Sequence, residues 1–209
     1  MIQENNLAKD VDLNAKIDLS PENSVLAEEI RKKLEKSVKL KRYQHSQRVA
    51  TTSWFMAKLY NADSDKAYIA GLAHDICKEL SDEKLIKLAS KDGRQISDFE
   101  LSKPSLLHGR AAAVKLQEDF DVHDEDILQA VAFHTLGGKN MCPLAKIVFC
   151  ADKIEPGRPQ SSVEYRTNLF SKNLNDLCLS VLIENFEYLK AKGKTISPEN
   201  QAFYESLCS

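Results

Sequence analysis

Apolar residues recur at helical spacing along most of this chain. One such series is Leu26, Ile30, Leu34 and Val38. No run of alternating β-branched residues is long enough to predict a sheet. Glycine and proline are sparse as well, at 7 and 6 of 209 residues. The pattern therefore predicts an all-α fold, and the length suits one domain with a substantial core.

The sequence around residue 20 marks the start of that domain. Ser20, Pro21 and Glu22 supply an N-cap, a proline at the first helical position and an acidic first turn. Residues 1–20 are polar and poorly patterned. We expect them to form a mobile or loosely docked extension, and residues 21–209 to form a single domain.

Capping residues and periodicity place the remaining helices. A second helix ends near Asn61, and a third begins at Asp63 or Ser64 and continues through Ile76. Further helices are predicted at residues 81–91, 106–119, 124–134, 143–155, 173–192 and 198–207. The segment 155–174 holds two prolines and a glycine, which predicts an ordered loop.

Composition excludes several classes of partner. Lys and Arg total 29 against 31 Asp and Glu, so the net charge of -2 gives no general attraction to nucleic acid or anionic lipid. Apolar stretches are shorter than the roughly 20 residues that cross a bilayer, and the stretch MIQENNLAKDVDLN lacks a basic segment followed by an apolar one. The five cysteines form no C-x-x-C pair. We therefore expect a cytoplasmic protein with reduced thiols, no nucleic-acid partner and no membrane partner.

Four histidines and two aspartates stand in contexts that suit metal binding. They are His45 in HSQRVA, His74 and Asp75 in AGLAHDICKE, His108 in LLHGRAA, His134 in AFHTLGG and Asp152 in FCADKIEPGR. A single helical histidine is more often a surface or core residue than a ligand. An adjacent His-Asp pair in an apolar helix differs, because burying it costs several kcal/mol unless it is paired or coordinated. His123, in the polar stretch FDVHDED, is left outside the site.

These donors divide into two groups. One ion would be held by His45, His74, Asp75 and Asp152, and a second would share Asp75 and use His108 and His134. Imidazole and carboxylate ligands favour Fe, Mn, Co, Ni or Zn. Two ions about 3.5–4 Å apart activate a bridging hydroxide and clamp the oxygens of an in-line phosphoryl displacement. The residues therefore predict a binuclear hydrolase.

Two cationic residues are spaced to face the same site. Lys78 follows His74 by four residues and Asp75 by three, so helical spacing projects its ammonium along the ligand face. Arg48 follows His45 by three residues. The competing interpretations are a solvated Lys78 in the charged stretch KELSDEK and a surface ion pair for Arg48.

The motifs HSQRVA, AGLAHDICKE, LLHGRAAA, AFHTLGG and ADKIEPGR together resemble HD-domain phosphohydrolases. More closely, they resemble the YqeK family of bacterial symmetrical diadenosine tetraphosphate hydrolases. The resemblance runs from about Tyr43 to Leu169. Two features depart from the family pattern: Lys153 replaces an aromatic residue, and PQSSVEYR replaces a loop richer in glycine and phenylalanine.

This resemblance implies an HD-domain helical bundle and a site with two divalent or trivalent ions, foremost iron. The implied metal ligands are His45, His74, Asp75, His108, His134 and Asp152. The implied substrate contacts are Arg48, Lys78, His108, Thr135, Arg158 and Arg166. By analogy alone, we expect a homodimer.

The implied reaction is hydrolysis of diadenosine tetraphosphate to two ADP by a metal-bridging hydroxide. Asp75 and Lys78 are the predicted catalytic residues: Asp75 bridges the ions, and Lys78 balances phosphate charge. Two alternatives stay open. One is another HD phosphohydrolase, acting on a nucleoside monophosphate, a cyclic nucleotide or a guanosine alarmone. The other is a non-catalytic module that senses a nucleotide.

Overall fold

The structure is a computed structural model that describes residues 10–208. Within that range it contains α-helices and two short 3₁₀ turns but no β-strand, which confirms the all-α prediction. The helices are α1 (Pro21–Ser37), α2 (Leu40–Leu59), α3 (Ser64–Ala73), α4 (Asp82–Ala89), α5 (Asp98–Ser102), α6 (His108–Phe120), α7 (Glu125–Phe133), α8 (Pro143–Ile154), α9 (Val163–Phe170), α10 (Leu174–Ala191) and α11 (Pro198–Cys208). None of the described helices combines the length and apolar character needed to cross a membrane.

Local capping explains where several helices begin. The Ser20 hydroxyl accepts from the backbone N–H of Asn23, and Pro21 occupies the first turn of α1 as predicted. Asp63 and Asp124 cap α3 and α7 in the same way. Each cap satisfies a backbone donor that the first helical turn leaves without a partner. The caps thus fix the starts of helices that lead toward the site.

Helices α2 and α3 form the most extensive pair in the bundle. Gly71 of α3 permits this packing, since a Cβ at that position would lie 2.9 Å from both Ala50 Cα and Ser53 Oγ of α2. Real Cβ atoms essentially never come so close to backbone. The close approach brings the end of α3, which precedes His74, against the helix that holds His45.

Two sequence predictions of secondary structure were wrong. Helix α3 ends at Ala73 rather than continuing through Ile76, and residues 74–79 form successive turns. Hydrogen bonds from Ile76 N to Ala73 O and from Lys78 N to Asp75 O span three residues. Residues 155–174 are not only loop, because Ser162 caps the eight-residue helix α9 within them. That cap lies beyond the prolines on which the loop prediction rested.

Part of the predicted N-terminal extension lies against the domain. Residues 1–9 are outside the described range, so the prediction for them stays a prediction. Val11 is buried in the core, and the Asp10 carboxylate pairs with the Arg166 guanidinium, with Oδ1 2.6 Å from Nε. The Ser20 N–H donates to Asp65 at 2.8 Å. Residues 10–20 are therefore in contact with the bundle at both of their ends.

Candidate metal centre and its cavity

The six predicted metal ligands meet in one buried cluster. His45 comes from α2, His74 and Asp75 from the turn after α3, His108 from the start of α6, His134 from the end of α7 and Asp152 from α8. All four imidazoles and Asp75 are buried, and the Asp152 side chain is 16% exposed. The structure thus brings together every ligand that the sequence proposed.

Two groups of donors within this cluster are spaced for metal binding. The first is His45, His74 and Asp152, and the second is His74, Asp75 and His134; within each group the donor atoms lie within 4.8 Å of one another. Asp152 Oδ1 is 3.0 Å from His45 Nε2 and 3.8 Å from His74 Nε2. Asp75 Oδ2 is 3.3 Å from His74 Nε2. His74 belongs to both groups, so the groups are adjacent.

His108 adds a further nitrogen to the second group. Its Nε2 lies 3.1 Å from Asp75 Oδ1 and 2.9 Å from His134 Nε2. Gly109 permits this approach, because a Cβ there would lie 2.9 Å from Val131 O and 3.0 Å from His134 Cε1. The start of α6 and the end of α7 can therefore meet closely enough to pair their histidines.

Three of the imidazoles share a backbone restraint. Nδ1 of His74, His108 and His134 each donates to the carbonyl oxygen three residues earlier, at 2.7 Å in every case. With the proton on Nδ1, a neutral ring keeps the lone pair on Nε2 for a metal. His45 differs, because its Nδ1 contacts Glu155 Oε1 at 3.0 Å.

These contacts show that the cluster fits a divalent cation. The facing Nε2 atoms of His108 and His134 are both acceptors when Nδ1 carries the proton, so neither donates to the other. His74 Nε2 and Asp75 Oδ1 are buried with no hydrogen-bond partner among the described residues. Unpaired buried acceptors are costly, and a cation in the cluster would satisfy both of these atoms. The nitrogen and oxygen donors, with no thiolate among them, suit a borderline or hard metal.

The surroundings of Asp75, Asp152 and His134 favour the protonation states that bind metal. Burial alone would raise the pKa of Asp75, but the adjacent His74 and His108 hold it well below its usual value. Burial likewise opposes ionisation of Asp152, yet the hydrogen bond from His45 and the charge of Lys153 lower its pKa strongly. Burial lowers the pKa of His134. Anionic carboxylates and neutral imidazole are the forms that bind metal.

Glu155 supports His45 from behind and was missed by sequence reasoning. Burial would raise its pKa, but hydrogen bonds from His45, Arg48 and the Gly157 N–H lower it to about 2. Arg48 Nε lies 2.5 Å from Glu155 Oε2. Arg48, a predicted substrate contact, is therefore directed at Glu155 and does not line the cavity described next.

A cavity of about 760 Å³ opens onto the metal cluster. Asp75, His108, His134 and Asp152 form one part of its lining. Four cationic side chains form another part: Arg42, Lys78, Lys153 and Arg158. The volume lies within the roughly 300–1,000 Å³ typical of small-molecule sites. The charges indicate an anionic ligand.

Lys78 and Arg158 stand where the sequence predicted cations. Lys78 Nζ is 3.2 Å from His108 Nε2 and 4.0 Å from Asp75 Oδ1, and burial lowers its pKa. Arg158 Nη2 donates to Asp152 Oδ1 at 2.6 Å. Thr135, also predicted, lines the cavity with its hydroxyl 3.2 Å from His108 Nε2.

Arg42 is a cation that sequence reasoning missed. Its Nη1 donates to Asp75 Oδ2 at 2.7 Å, and its side chain lines the cavity. The signal was available, because Arg42 precedes His45 by three residues just as Arg48 follows it by three. The spacing argument used for Arg48 applied equally to Arg42.

Two residues considered in the sequence analysis, Arg166 and His123, lie outside the cavity lining. The predicted substrate contact Arg166 is buried, holds Asp10 and donates to the Ser161 carbonyl, and it does not line the cavity. His123, which the sequence analysis left outside the site, is exposed, and its Nε2 lies 2.8 Å from Asp121 Oδ1. The cavity lining and the metal cluster thus include most but not all of the predicted site residues.

The profile of the HD domain family matches residues 42–157, more than half of the chain. The chain belongs to the HD domain family. The matched segment begins at Arg42 and includes all six predicted metal ligands, together with Glu155.

Curated relatives show which HD-domain proteins this chain is similar to. A protein of Halalkalibacterium halodurans named symmetrical bis(5'-nucleosyl)-tetraphosphatase is 36% identical, over 79% of this chain and 88% of that protein. A Bacillus subtilis protein of the same name is 30% identical, over 80% of this chain and 90% of its own length. The predicted resemblance is confirmed, and the chain is an HD-domain hydrolase homologous to these enzymes.

A solved structure supports the same fold. The crystal structure of a predicted HD superfamily hydrolase involved in NAD metabolism, from Clostridium acetobutylicum, superposes with a TM-score of 0.80 at 34% identity. The match covers 87% of this chain and 96% of that one. The helical bundle of the HD domain is therefore shared over nearly the whole of both proteins.

Proposed function

We propose that this HD domain hydrolyses diadenosine tetraphosphate symmetrically, giving two ADP. The observation that supports the proposal best is the convergence of six metal donors at a cavity lined by four cationic side chains. Such a cavity suits a polyphosphate more than a neutral substrate. The names of the two curated relatives support the same substrate.

Two metal ions are proposed for the cluster, with Asp75 shared between them. His45, His74 and Asp152 would complete one site, and His108 and His134 the other. Iron is the proposed metal because of the family resemblance, with Mn, Co, Ni or Zn as alternatives that the donor set accepts. When bound, such ions activate water and offset charge on phosphate oxygens.

The cationic residues would position and neutralise the polyphosphate. Lys78 extends into the cavity beside His108, and Arg158 and Arg42 lie against the carboxylates Asp152 and Asp75. Once metal ions balance those carboxylates, both guanidinium groups can donate to phosphate oxygens, which Arg binds in bidentate geometry. Thr135 offers a hydroxyl near the same position. Lys78 and Asp75 remain the proposed catalytic residues.

Arg48 and Arg166 are proposed to act less directly. Arg48 reaches the site through Glu155 and His45, and Arg166 reaches residues 10–20 through Asp10. The homodimer, the single domain over residues 21–209 and the cytoplasmic location stay predictions.

Product analysis tests the proposed reaction. Protein purified without oxygen and loaded with iron or manganese would be incubated with a panel of nucleotides and the products separated by chromatography. ADP as the sole product from diadenosine tetraphosphate is expected. AMP plus ATP would contradict symmetrical cleavage, and no turnover with any metal would favour a nucleotide sensor. Asp152→Ala serves as the inactive control.

A further inference from the structure

One face of α10 lines the cavity outside the metal cluster and its cations. Its residues are Val181, Glu184, Asn185 and Tyr188, and Tyr165 of α9 joins them. The α10 residues are spaced three, four and seven apart, so they share one face of the helix. We call these five residues the α9–α10 wall. It lies beyond residue 157, where the match to the HD domain family ends.

The chemistry of the α9–α10 wall differs from that of the phosphate-facing lining. It contains two aromatic rings, a buried valine, an amide and a carboxylate, and no Lys or Arg. The Glu184 carboxylate would repel a phosphate, whereas rings and an amide suit a flat heterocycle. We propose that the α9–α10 wall binds a nucleobase of the substrate, with Tyr188 stacking on it and Asn185 recognising its edge. This inference rests on the proposed function and specifies the part of the nucleotide that the metal centre does not bind.

Tyr188 presents an aromatic surface that nothing else in the described chain uses. The residue is 57% exposed although it lines the cavity. Within residues 10–208 its hydroxyl has no hydrogen-bond partner and its ring makes no ring contact. Tyrosine offers a rigid, sequence-tolerant stacking platform for bases. A base against this ring would cover apolar surface that is otherwise open to water.

Asn185 has an unused donor and acceptor. Its side chain is half-buried at the cavity, and its amide has no hydrogen-bond partner among residues 10–208. Adenine presents an N6 donor beside an N7 acceptor, which one amide group can bind with two hydrogen bonds. Guanine presents two acceptors, O6 and N7, at the same edge, and the amide oxygen would face one of them. Asn185 therefore favours adenine over guanine.

Contacts within the wall hold it in shape. The Tyr165 hydroxyl donates to Glu184 Oε2 at 2.5 Å, joining α9 to α10. Val181 is 3% exposed and forms an apolar surface one turn before Glu184. With Glu184 fixed by Tyr165, Asn185 and Tyr188 are the polar and aromatic groups of this wall that stay available to a ligand.

Steady-state kinetics with diadenosine and diguanosine tetraphosphates test this inference in the metal-loaded enzyme. Tyr188→Ala should raise KM for the adenine substrate about tenfold, more than it lowers kcat, since one base stack is lost. Tyr188→Phe should stay close to wild type. Asn185→Asp keeps the N6 acceptor but loses the donor to N7, so KM for the adenine substrate should rise about tenfold. The preference for adenine should persist, because the carboxylate still accepts from N6 and opposes both acceptors of guanine. Glu187→Gln, exposed on another face of α10, is the matched control.

Binding measurements separate failure of this inference from failure of the proposed reaction. By calorimetry, Tyr188→Ala should weaken ADP binding about tenfold while leaving pyrophosphate binding unchanged, because pyrophosphate has no base to stack. Wild-type KM values in both Tyr188→Ala and Asn185→Asp would overturn the subsite even if the enzyme makes ADP. Equal loss of ADP and pyrophosphate binding would overturn it as well. Absence of turnover in wild type would instead refute the proposed reaction and leave the binding comparison intact.

Discussion

Glu155 Oε1 accepts a hydrogen bond from Nδ1 of His45 at 3.0 Å, on the opposite side of the ring from Asp152. Glu155 is held in turn by Arg48 Nε at 2.5 Å and by the Gly157 N–H. A carboxylate behind a metal-binding imidazole fixes both its tautomer and its orientation. The IEPGR segment, residues 154–158, therefore supplies both Glu155, which supports the metal centre, and Arg158, which lines the cavity.

Replacing Glu155 should weaken metal binding without removing a ligand. Glu155→Ala leaves His45 Nδ1 without its acceptor, and loss of such a partner lowers metal affinity about 10–100-fold. Glu155→Gln retains an acceptor oxygen and should lose less. Metal titration followed by calorimetry measures this, with Glu164→Gln on exposed α9 surface as the control. If Glu155→Ala and Glu164→Gln both keep the metal affinity of the wild type, Glu155 does not support the metal centre.

Metal content should follow the two donor groups. Wild type is expected to bind two ions per chain, as the two adjacent groups suggest. His134→Ala removes a donor of the second group only, so its ratio should fall toward one by elemental analysis. At a free metal concentration of 100 Kd, each bound ion should add about 2.7 kcal/mol to the free energy of unfolding. A wild-type ratio near one after anaerobic loading would argue against two ions.

The cavity cations should matter to turnover more than to folding. Lys78→Ala removes a positive charge beside the reacting phosphate, and loss of one such electrostatic contact lowers kcat about 10²–10³-fold. Arg42→Ala should lower kcat/KM, and Arg42→Lys should restore only part of it because the bidentate geometry is lost. Thermal melts should change little. Normal kcat in Lys78→Ala would refute its proposed role.

The Asp10–Arg166 pair offers a test of the docked N-terminal segment. Arg166 is 4% exposed, so removing Asp10 would leave a buried guanidinium with one fewer anionic partner. Asp10→Ala should lower the free energy of unfolding by about 3 kcal/mol, a cost typical of breaking a buried pair. Urea denaturation measures this, and a double mutant with Arg166→Ala gives the coupling. If Arg166→Ala raises KM but leaves the free energy of unfolding unchanged, Arg166 contacts the substrate and does not stabilise the N-terminal segment.

The Asp124 cap of α7 predicts a defined pH dependence of stability. Burial opposes ionisation, but hydrogen bonds from Lys66 and the Ile127 N–H lower the pKa of Asp124. A lowered pKa in the folded state means that the carboxylate stabilises above its unfolded pKa, and that this stability is lost as pH falls through the folded value. Asp124→Ala should therefore cost about 1 kcal/mol at pH 7. The cost should shrink below about pH 4.

Urea denaturation of wild type and Asp124→Ala at pH 7 and at acidic pH measures this difference. Asp124→Asn keeps the capping oxygen without the charge, so it should be less destabilised than Asp124→Ala at pH 7. A difference that grows as the pH falls would show that the cap does not act through its ionised form.

The sequence predicted which donor residues lie together, because metal chemistry limits which residue types can serve as ligands. A buried His74-Asp75 pair needs a partner wherever the chain places it, and the chain has only four other histidines. The prediction did not depend on the helix continuing past Ala73. Turns with three-residue hydrogen bonds still bring Lys78 Nζ to 4.0 Å from Asp75 Oδ1.

The cavity could not be predicted in the same way. Its α9–α10 wall is formed by residues remote in sequence from every ligand, and their proximity depends on how α10 packs against α8. Spacing within one helix shows that Val181 and Tyr188 share a face. It does not show which other residues or which cavity that face contacts. Arg48 and Arg166 failed to reach the cavity for a related reason, since Glu155 and Asp10 compete for their guanidinium groups.

The distribution of the ligands over α2, α3, α6, α7 and α8 affects when metal can be acquired. During synthesis His45 leaves the ribosome more than a hundred residues before Asp152, so the nascent chain holds imidazoles without their carboxylate partner. Tight loading must wait until α8 has emerged and docked. We therefore expect the site of His45, His74 and Asp152 to fill late in synthesis, and a chain that stalls before α8 to lack that site.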